Sequence, residues 1–219
     1  MSNKRGLLIV FEGLDRSGKS TQCERLVNNL RNKGSEVFHT RFPNRTTPTG
    51  KTINDYLTNK TQQEDHAIHL LFSANRWESA REIEDHIKAG TTVVIDRYYY
   101  SGCVYSAAKQ NPTMDLAWCR QPEVGLPRPD LCIFLDISAE AAARRGGFGS
   151  ERYEKQDLQA RVRGLYGEMM RHEDEREDIV TVDAGGSLDE VEQSILAVVM
   201  DAKGRVERFG GPIRYIRPW

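Results

Sequence analysis

Hydrophobic positions along the chain follow two alternating rhythms. Residues 7–11 read Leu-Leu-Ile-Val-Phe, a continuous apolar run with no polar face, as expected of a strand covered on both sides in a parallel sheet. Similar short runs recur at 36–42, 91–95, 131–137 and 179–182. Between them apolar residues fall at helical spacing. Leu26, Val27 and Leu30 mark the inner face of a helix predicted over 18–33, with Gly34 placed to end it. A short helix is predicted over 52–57, after a loop formed by Pro43 and the polar run to Gly50. One long helix is predicted over 63–88, where Ile68, Leu71, Phe72, Ile83 and Ile87 recur and Gly90 stops the pattern. Further helices are expected over 101–110, 139–145, 154–176 and 187–203, the second and last capped by Ser138 and Ser187. Residues 111–129, with four prolines, read as a connection around a short helix near Leu116. This alternation predicts a three-layer α/β fold: a five-stranded parallel sheet with helices on both faces, in one domain spanning 1–219. Residues 204–219 are too short and irregular to form a domain of their own.

The first strand runs directly into Gly13-Leu14-Asp15-Arg16-Ser17-Gly18-Lys19-Ser20, which fits G-x-x-x-x-G-K-[ST]. The glycines let backbone N–H groups curl around phosphate oxygens. The helix that follows adds the positive end of its dipole. Lys19 reaches the terminal phosphates of a nucleotide, and the Ser20 hydroxyl is a ligand for Mg²⁺. The pattern sits between a predicted strand and a predicted helix, so the chain is expected to bind a nucleoside triphosphate in a P-loop fold. The loop does not by itself say what is done with it.

Composition narrows the partners. At 219 residues with a net charge of −1, acids and bases are mixed, and no basic footprint for nucleic acid or an anionic membrane is present. Cys23, Cys103, Cys119 and Cys132 form no C-x-x-C pair, which points to a reducing compartment. The first six residues lead straight into a strand and leave no room for a targeting segment, and no apolar run reaches membrane-spanning length. A cytoplasmic or nuclear protein is the expectation.

A second group of candidate residues lies where strand ends converge. Arg45 follows the second strand, and Asp96-Arg97 ends the third. Such carboxyl ends are where open α/β sheets bind ligands. Asp96, delivered beside the P-loop by Val93-Val94-Ile95, resembles a carboxylate that positions a metal. Phe72 fits either the core or a base-stacking surface, and Arg76, one turn on, fits either a surface ion pair or a bidentate ligand contact. His66 and His69 stand three apart on a helix, but no third metal ligand lies nearby in sequence. The run Arg144-Arg145-Gly146-Gly147-Phe148-Gly149-Ser150-Glu151-Arg152-Tyr153 is basic and glycine-rich, as suits a lid over phosphates, here placed at 144–159.

Taken in order, these motifs resemble the eukaryotic type of thymidylate kinase. The resemblance rests on the loop 11–22, the turn Arg41-Phe42-Pro43, the helix 69–78, Asp96-Arg97-Tyr98 with Ser101-Gly102, the run 121–127 and the stretch 149–153, and it spans residues 5–200. It implies transfer of the ATP γ-phosphate to dTMP with Mg²⁺. Asp15 would bind the sugar 3′-hydroxyl, and Arg16 would touch the transferring phosphate. Arg45 and Arg97 would hold phosphates of the two nucleotides. Phe72 would stack on thymine, with Phe42, Ser101 and Gly102 nearby, and Arg76 would bond its carbonyl edge. Tyr105 would exclude a 2′-hydroxyl, and Tyr153 and Gln159 would close over the substrate. Gly13, Ser17, Gly18, Lys19, Ser20 and Thr21 would cradle ATP, with Arg145, Asp183 and Ala184 completing its site. Ser20 and Asp96 would hold the metal. A homodimer through the long helix 63–89 is also implied. Two stretches depart from the pattern: 111–118 is slightly long, and 204–219 matches nothing in the family.

Three other readings compete, one of them a catalytically dead binding protein, against which the intact Asp15, Arg16, Lys19, Ser20, Asp96 and Arg97 argue. A kinase for another monophosphate, such as UMP, would have to admit a ribose 2′-hydroxyl. A GTP-dependent switch should carry Asn-Lys-x-Asp, and Asn59-Lys60-Thr61-Gln62 lacks the acid.

Overall fold

In a computed structural model of the chain, residues 5–145, 152–153 and 156–219 are described. Strands β1 (Leu8–Gly13), β2 (Val37–Arg41), β3 (Thr92–Asp96), β4 (Leu131–Asp136) and β5 (Ile179–Asp183) form one parallel sheet in the order β2-β3-β1-β4-β5. The apolar runs explain its two cores. Successive strand residues point to opposite faces. Leu8, Val10, Val93, Ile95, Cys132 and Phe134 therefore join one cluster, and Ile9, Phe11, Val94, Leu131, Ile133 and Leu135 join the other.

The second face is covered by α1 (Lys19–Asn32) through Cys23, Leu26, Val27 and Leu30, and by α9 (Leu188–Phe209) through Val191, Ile195 and Val199. The first face carries α4 (Ala80–Lys88), α5 (Tyr99–Ala107) and α8 (Gln156–Arg171). Helices α2 (Pro48–Leu57) and α3 (Asp65–Trp77) build a satellite cluster around Ile53, Tyr56, Leu57 and Ile68. Helices α6 (Leu116–Arg120) and α7 (Ala139–Arg144) and a 3₁₀ turn, Gln121–Glu123, complete the described elements.

Several boundaries differ from the pattern-based expectation. The predicted long helix 63–88 is two helices, α3 and α4, broken at Glu78 and Ser79. Ile68 packs into the satellite cluster, whereas Ala80, Ile83 and Ile87 pack on the sheet. One straight rod could not serve both surfaces. Helix α2 starts at Pro48, inside the stretch read as a loop. Proline is favoured in a first helical turn, and the Thr47 side chain accepts from Gly50 N at 3.1 Å. Helix α8 ends at Arg171, short of 176, and α9 runs on to Phe209.

Residues after Phe209 pack on the body: Tyr215 pairs with Pro127, and Ile216 is buried. Half of the stretch read as a lid, 146–151 and 154–155, lies outside the described residues.

His66 and His69 do not share a site. His66 Nδ1 lies 2.7 Å from Glu64, while His69 is buried between Ser106 Oγ and the Cys119 carbonyl, each at 2.8 Å. Burial, helped by the nearby Arg76 charge, lowers the His69 pKa from 6.5 to about 4. The folded state therefore holds this ring neutral while the unfolded chain protonates it near 6.5. Its contribution to stability is complete above that pH and is lost as pH falls toward 4. The parent should lose about 2 kcal/mol more than His69→Gln between pH 8 and pH 5. Urea unfolding at the two pH values measures this, and equal losses would show that His69 titrates normally.

Candidate active site

All five strands present their carboxyl ends to the same edge. The ladder places Arg41 and Phe11 beside Asp96, Gly13 beside Leu135, and Asp136 beside Asp183. The loop after β1 therefore emerges at the centre of the sheet. Gly13 has φ +141°, and a Cβ there would stand 2.4 Å from the Leu135 carbonyl oxygen, so the close approach to β4 requires glycine. Gly18, φ +88°, opens α1 without a side-chain cap, which leaves the helix N-terminus facing the loop. Arg16 holds φ +67°, an uncommon conformation for a side-chain-bearing residue.

Lys19 is buried, and its Nζ curls back onto the Leu14 carbonyl at 2.5 Å. Burial and the neighbouring Arg97 charge lower its pKa to about 7, against the opposing pull of Asp15, Asp96 and Glu12. An anionic ligand in the loop would give this ammonium the counter-charge that the free protein withholds.

Ser20 Oγ donates to Asp96 Oδ2 at 2.6 Å, and Arg41 Nη2 lies 3.2 Å from both oxygens. The other carboxylate oxygen, Oδ1, is buried with no hydrogen-bond partner. A hydroxyl beside a carboxylate with an unused oxygen suits a hard cation. Mg²⁺ needs few protein ligands when phosphates and water supply the rest. The described residues contain no cluster of three or more His, Cys, Asp or Glu side chains placed to hold a metal.

Alongside the P-loop opens a cleft of about 770 Å³. Asp15, Phe42, Arg45, Phe72, Arg76, Arg97, Ser101, Gly102, Tyr105 and Tyr153 all line it, so every sequence-predicted substrate residue except Gln159 is brought to one cavity. Arg97, at φ +66°, pairs with Asp15. Burial alone would raise the Asp15 carboxyl, but Arg97 and Lys19 outweigh it and hold its pKa below the ordinary value. Gln159 Nε2 donates to Asp15 Oδ2 at 2.6 Å and to the Tyr153 carbonyl at 2.9 Å, tying α8 to the cleft. Arg45 donates to Asn54 Oδ1 at 3.0 Å.

Phe72 is only partly buried and faces the cleft, unlike Ile68 one turn earlier. Arg76 is deeply buried against Glu123, with Nε to Oε2 at 2.8 Å and Nη2 to Oε1 at 2.5 Å. A Cβ on Gly102 would stand 2.6 Å from Arg76 Nη2, so glycine leaves room for that guanidinium. The Tyr105 ring lies 5.6 Å from Tyr153, and burial raises its phenol pKa above the ordinary value.

Of the remaining predicted residues, Ser17 and Thr21 belong to the P-loop and the first turn of α1, and a hydrogen-bonded arginine ties Ala184 to the loop. Arg145 bridges the Arg16 carbonyl at 2.9 Å and the Ala184 carbonyl at 2.7 Å. Asp183 turns into its own loop and accepts from Gly185 N at 2.8 Å. Ser17 is buried, and Thr21 is exposed on α1.

Pattern reading assigned no role to four residues that organise the site. Glu12, fully buried, accepts from the backbone N of Tyr98 and Ser101 and from the Ser101 and Tyr166 hydroxyls, which fixes the start of α5 beside Arg97. Arg41 and Glu123 act through Asp96 and Arg76, as described above. A carboxylate closing an apolar strand was a visible signal for Glu12. Glu123 stands in the run 121–127 that carries the resemblance, but nothing there linked it to Arg76, and Tyr166 offered no signal before the fold was known.

The chain matches the family model described as thymidylate kinase over residues 11–195. It is 49% identical to a thymidylate kinase of Arabidopsis thaliana over 197 residues, covering 90% of this chain and 72% of the relative. Identity to the thymidylate kinase of Homo sapiens is 45%, covering 92% and 93% of the two chains. A solved thymidylate kinase structure from Candida albicans superposes with a TM-score of 0.86 at 38% identity, covering 97% of this chain and 98% of that one. With the family model matched over most of its length and relatives 45–49% identical over nine-tenths of it, the chain belongs to the thymidylate kinase family.

Proposed function

We propose that this chain transfers the γ-phosphoryl group of ATP directly to dTMP, giving dTDP and ADP, with Mg²⁺ bound at Ser20 and Asp96. The observation that carries this reading is the junction of two sites: a P-loop built around Lys19 opens into a cleft where Phe72 and Arg76 face Asp15 and Arg97. Phosphoryl transfer demands positioning and charge neutralisation more than covalent chemistry. Lys19, Arg16 and Arg97 supply positive charge around the transferring group. Mg²⁺, when bound, would neutralise charge on the donor phosphates. Asp15 and Tyr105 receive the sugar, Arg45 holds the acceptor phosphate, and Tyr153 and Gln159 cover it. Arg145, Asp183 and Ala184 border the nucleotide end of the P-loop. No protein nucleophile is needed, because a dTMP phosphate oxygen attacks.

Exposed Leu70 and Trp77 on α3 support a homodimer formed through α3 and α4. All four cysteines are buried free thiols, which suits a cytoplasmic or nuclear location. Among the described residues no helix is long and apolar enough to cross a membrane.

A coupled ADP-release assay with ATP and Mg²⁺ tests the reading across dTMP, dUMP, UMP, CMP and AMP. Because the Candida albicans relative is described with broad substrate specificity, dUMP is a necessary comparison. Fast turnover of dTMP and little of UMP is expected; equal turnover of UMP would overturn the substrate assignment. Phe72→Ala should raise KM for dTMP roughly ten- to hundredfold through lost stacking, with little change in KM for ATP. If both KM values rise together, Phe72 serves as packing and not as a base platform.

A further inference from the structure

Residues 210–219 lie beyond the span 11–195 that the family model matches, yet they are closely fastened to the body. Gly125 N donates to the Ile216 carbonyl at 2.9 Å, Ile216 N to the Leu126 carbonyl at 2.9 Å, and Arg128 N to the Arg214 carbonyl at 2.8 Å. This short antiparallel pairing buries Ile216 in the same core cluster as Tyr99. Arg214 Nη2 adds bonds to Asp178 Oδ1 at 2.7 Å and to the Pro129 carbonyl at 2.6 Å. At the end of the segment the Trp219 ring stacks on His172 at 4.1 Å and lies 4.9 Å from the Arg120 guanidinium. Arg120 in turn donates to the Arg217 carbonyl and to Glu175. Terminal segments are poorly ordered unless tied down in this manner.

What the segment grips is specific. Arg120 immediately precedes the 3₁₀ turn Gln121–Glu123, and Gly125, Leu126 and Arg128 follow it. That turn carries the Glu123 carboxylate on which Arg76 is aligned. From the cleft side α3 holds it through Ser73 Oγ and Trp77 Nε1, which donate to the Pro122 carbonyl at 3.1 Å and 2.8 Å. We propose that residues 214–219 form a strap that clamps the turn 121–123 from both flanks, making Arg214, Ile216 and Trp219 positioning residues for Arg76 at the pyrimidine end of the cleft. The proposal rests on the reading of Arg76 as the group that meets the base. A bidentate pair transmits a displacement of one partner directly to the other, and small misplacements of a binding group are costly.

Steady-state kinetics on Arg214→Ala, Trp219→Ala and a chain shortened after residue 209 test the strap, with Arg76→Lys measured in parallel. The strap variants should raise KM for dTMP about tenfold and leave kcat and KM for ATP within about twofold, by analogy with partners that orient a binding group from behind. A lowered melting temperature with both KM values unchanged would overturn the proposal, as would a parallel rise in both. If the shortened chain does not fold, the two point variants decide. If Arg76→Lys raises KM for dTMP and the strap variants do not, the strap alone is wrong. If Arg76→Lys leaves KM for dTMP unchanged, the pyrimidine reading is wrong and the strap has nothing to position.

Discussion

Lys19→Ala is expected to lower kcat by roughly 10²–10³-fold while the protein remains folded, the effect typical of removing one preorganised charge from a developing anion. In the free protein the ammonium is buried, bonded to the Leu14 carbonyl and crowded by Arg97, with its pKa lowered to about 7. An ATP phosphate would reverse that depression. Binding at pH 8 should therefore be accompanied by proton uptake, since a group largely neutral in the free protein becomes charged in the complex. Calorimetry in buffers of different ionisation enthalpy measures the uptake. The parent should take up close to one proton more than Lys19→Ala. Retention of most activity in the variant would remove Lys19 from the reaction, and equal proton uptake would show that its pKa does not move on binding.

The second large effect concerns Arg76. It and Glu123 are 2% and 0% exposed, so Arg76→Met leaves a carboxylate deep in the protein without its counter-charge. Breaking one side of such a pair typically costs about 3–5 kcal/mol, whereas replacing both partners with apolar residues is often neutral. Glu123 also offsets the cost of burying Arg76 and keeps the guanidinium charged. Arg76→Met should thus lose both stability and dTMP affinity. The double variant Arg76→Met with Glu123→Leu should recover stability in urea unfolding but not KM for dTMP. Recovery of dTMP affinity in the double variant would mean that Arg76 matters only as the partner of Glu123.

The strand-to-helix alternation and the P-loop could be read from local order alone. Continuous apolar runs dictate covered parallel strands, and a glycine-rich turn between a strand and a helix dictates a phosphate cradle. Asp96 was legible for the same reason, since a carboxylate at the end of an apolar strand must emerge at the ligand edge of the sheet. Phe72 was not. Its helical spacing is the same whether it faces a core or a cavity, and only the packing of α3 against α2 and α5 turns it to the cleft.

The break between α3 and α4 escaped the pattern because apolar periodicity continues through it, while the surfaces it meets change from the satellite cluster to the sheet. Glu12, Glu123 and residues 210–219 act through contacts with residues as far as 154, 47 and 206 positions away. By itself the sequence determined the layered α/β architecture, the phosphate loop and the edge of the sheet where chemistry occurs, because strand burial and turn geometry are short-range properties. Tertiary structure alone decided which side chains stand behind the reactive ones and what holds them there, because buried ion pairs and hydrogen bonds join positions whose distance along the chain carries no signal of contact.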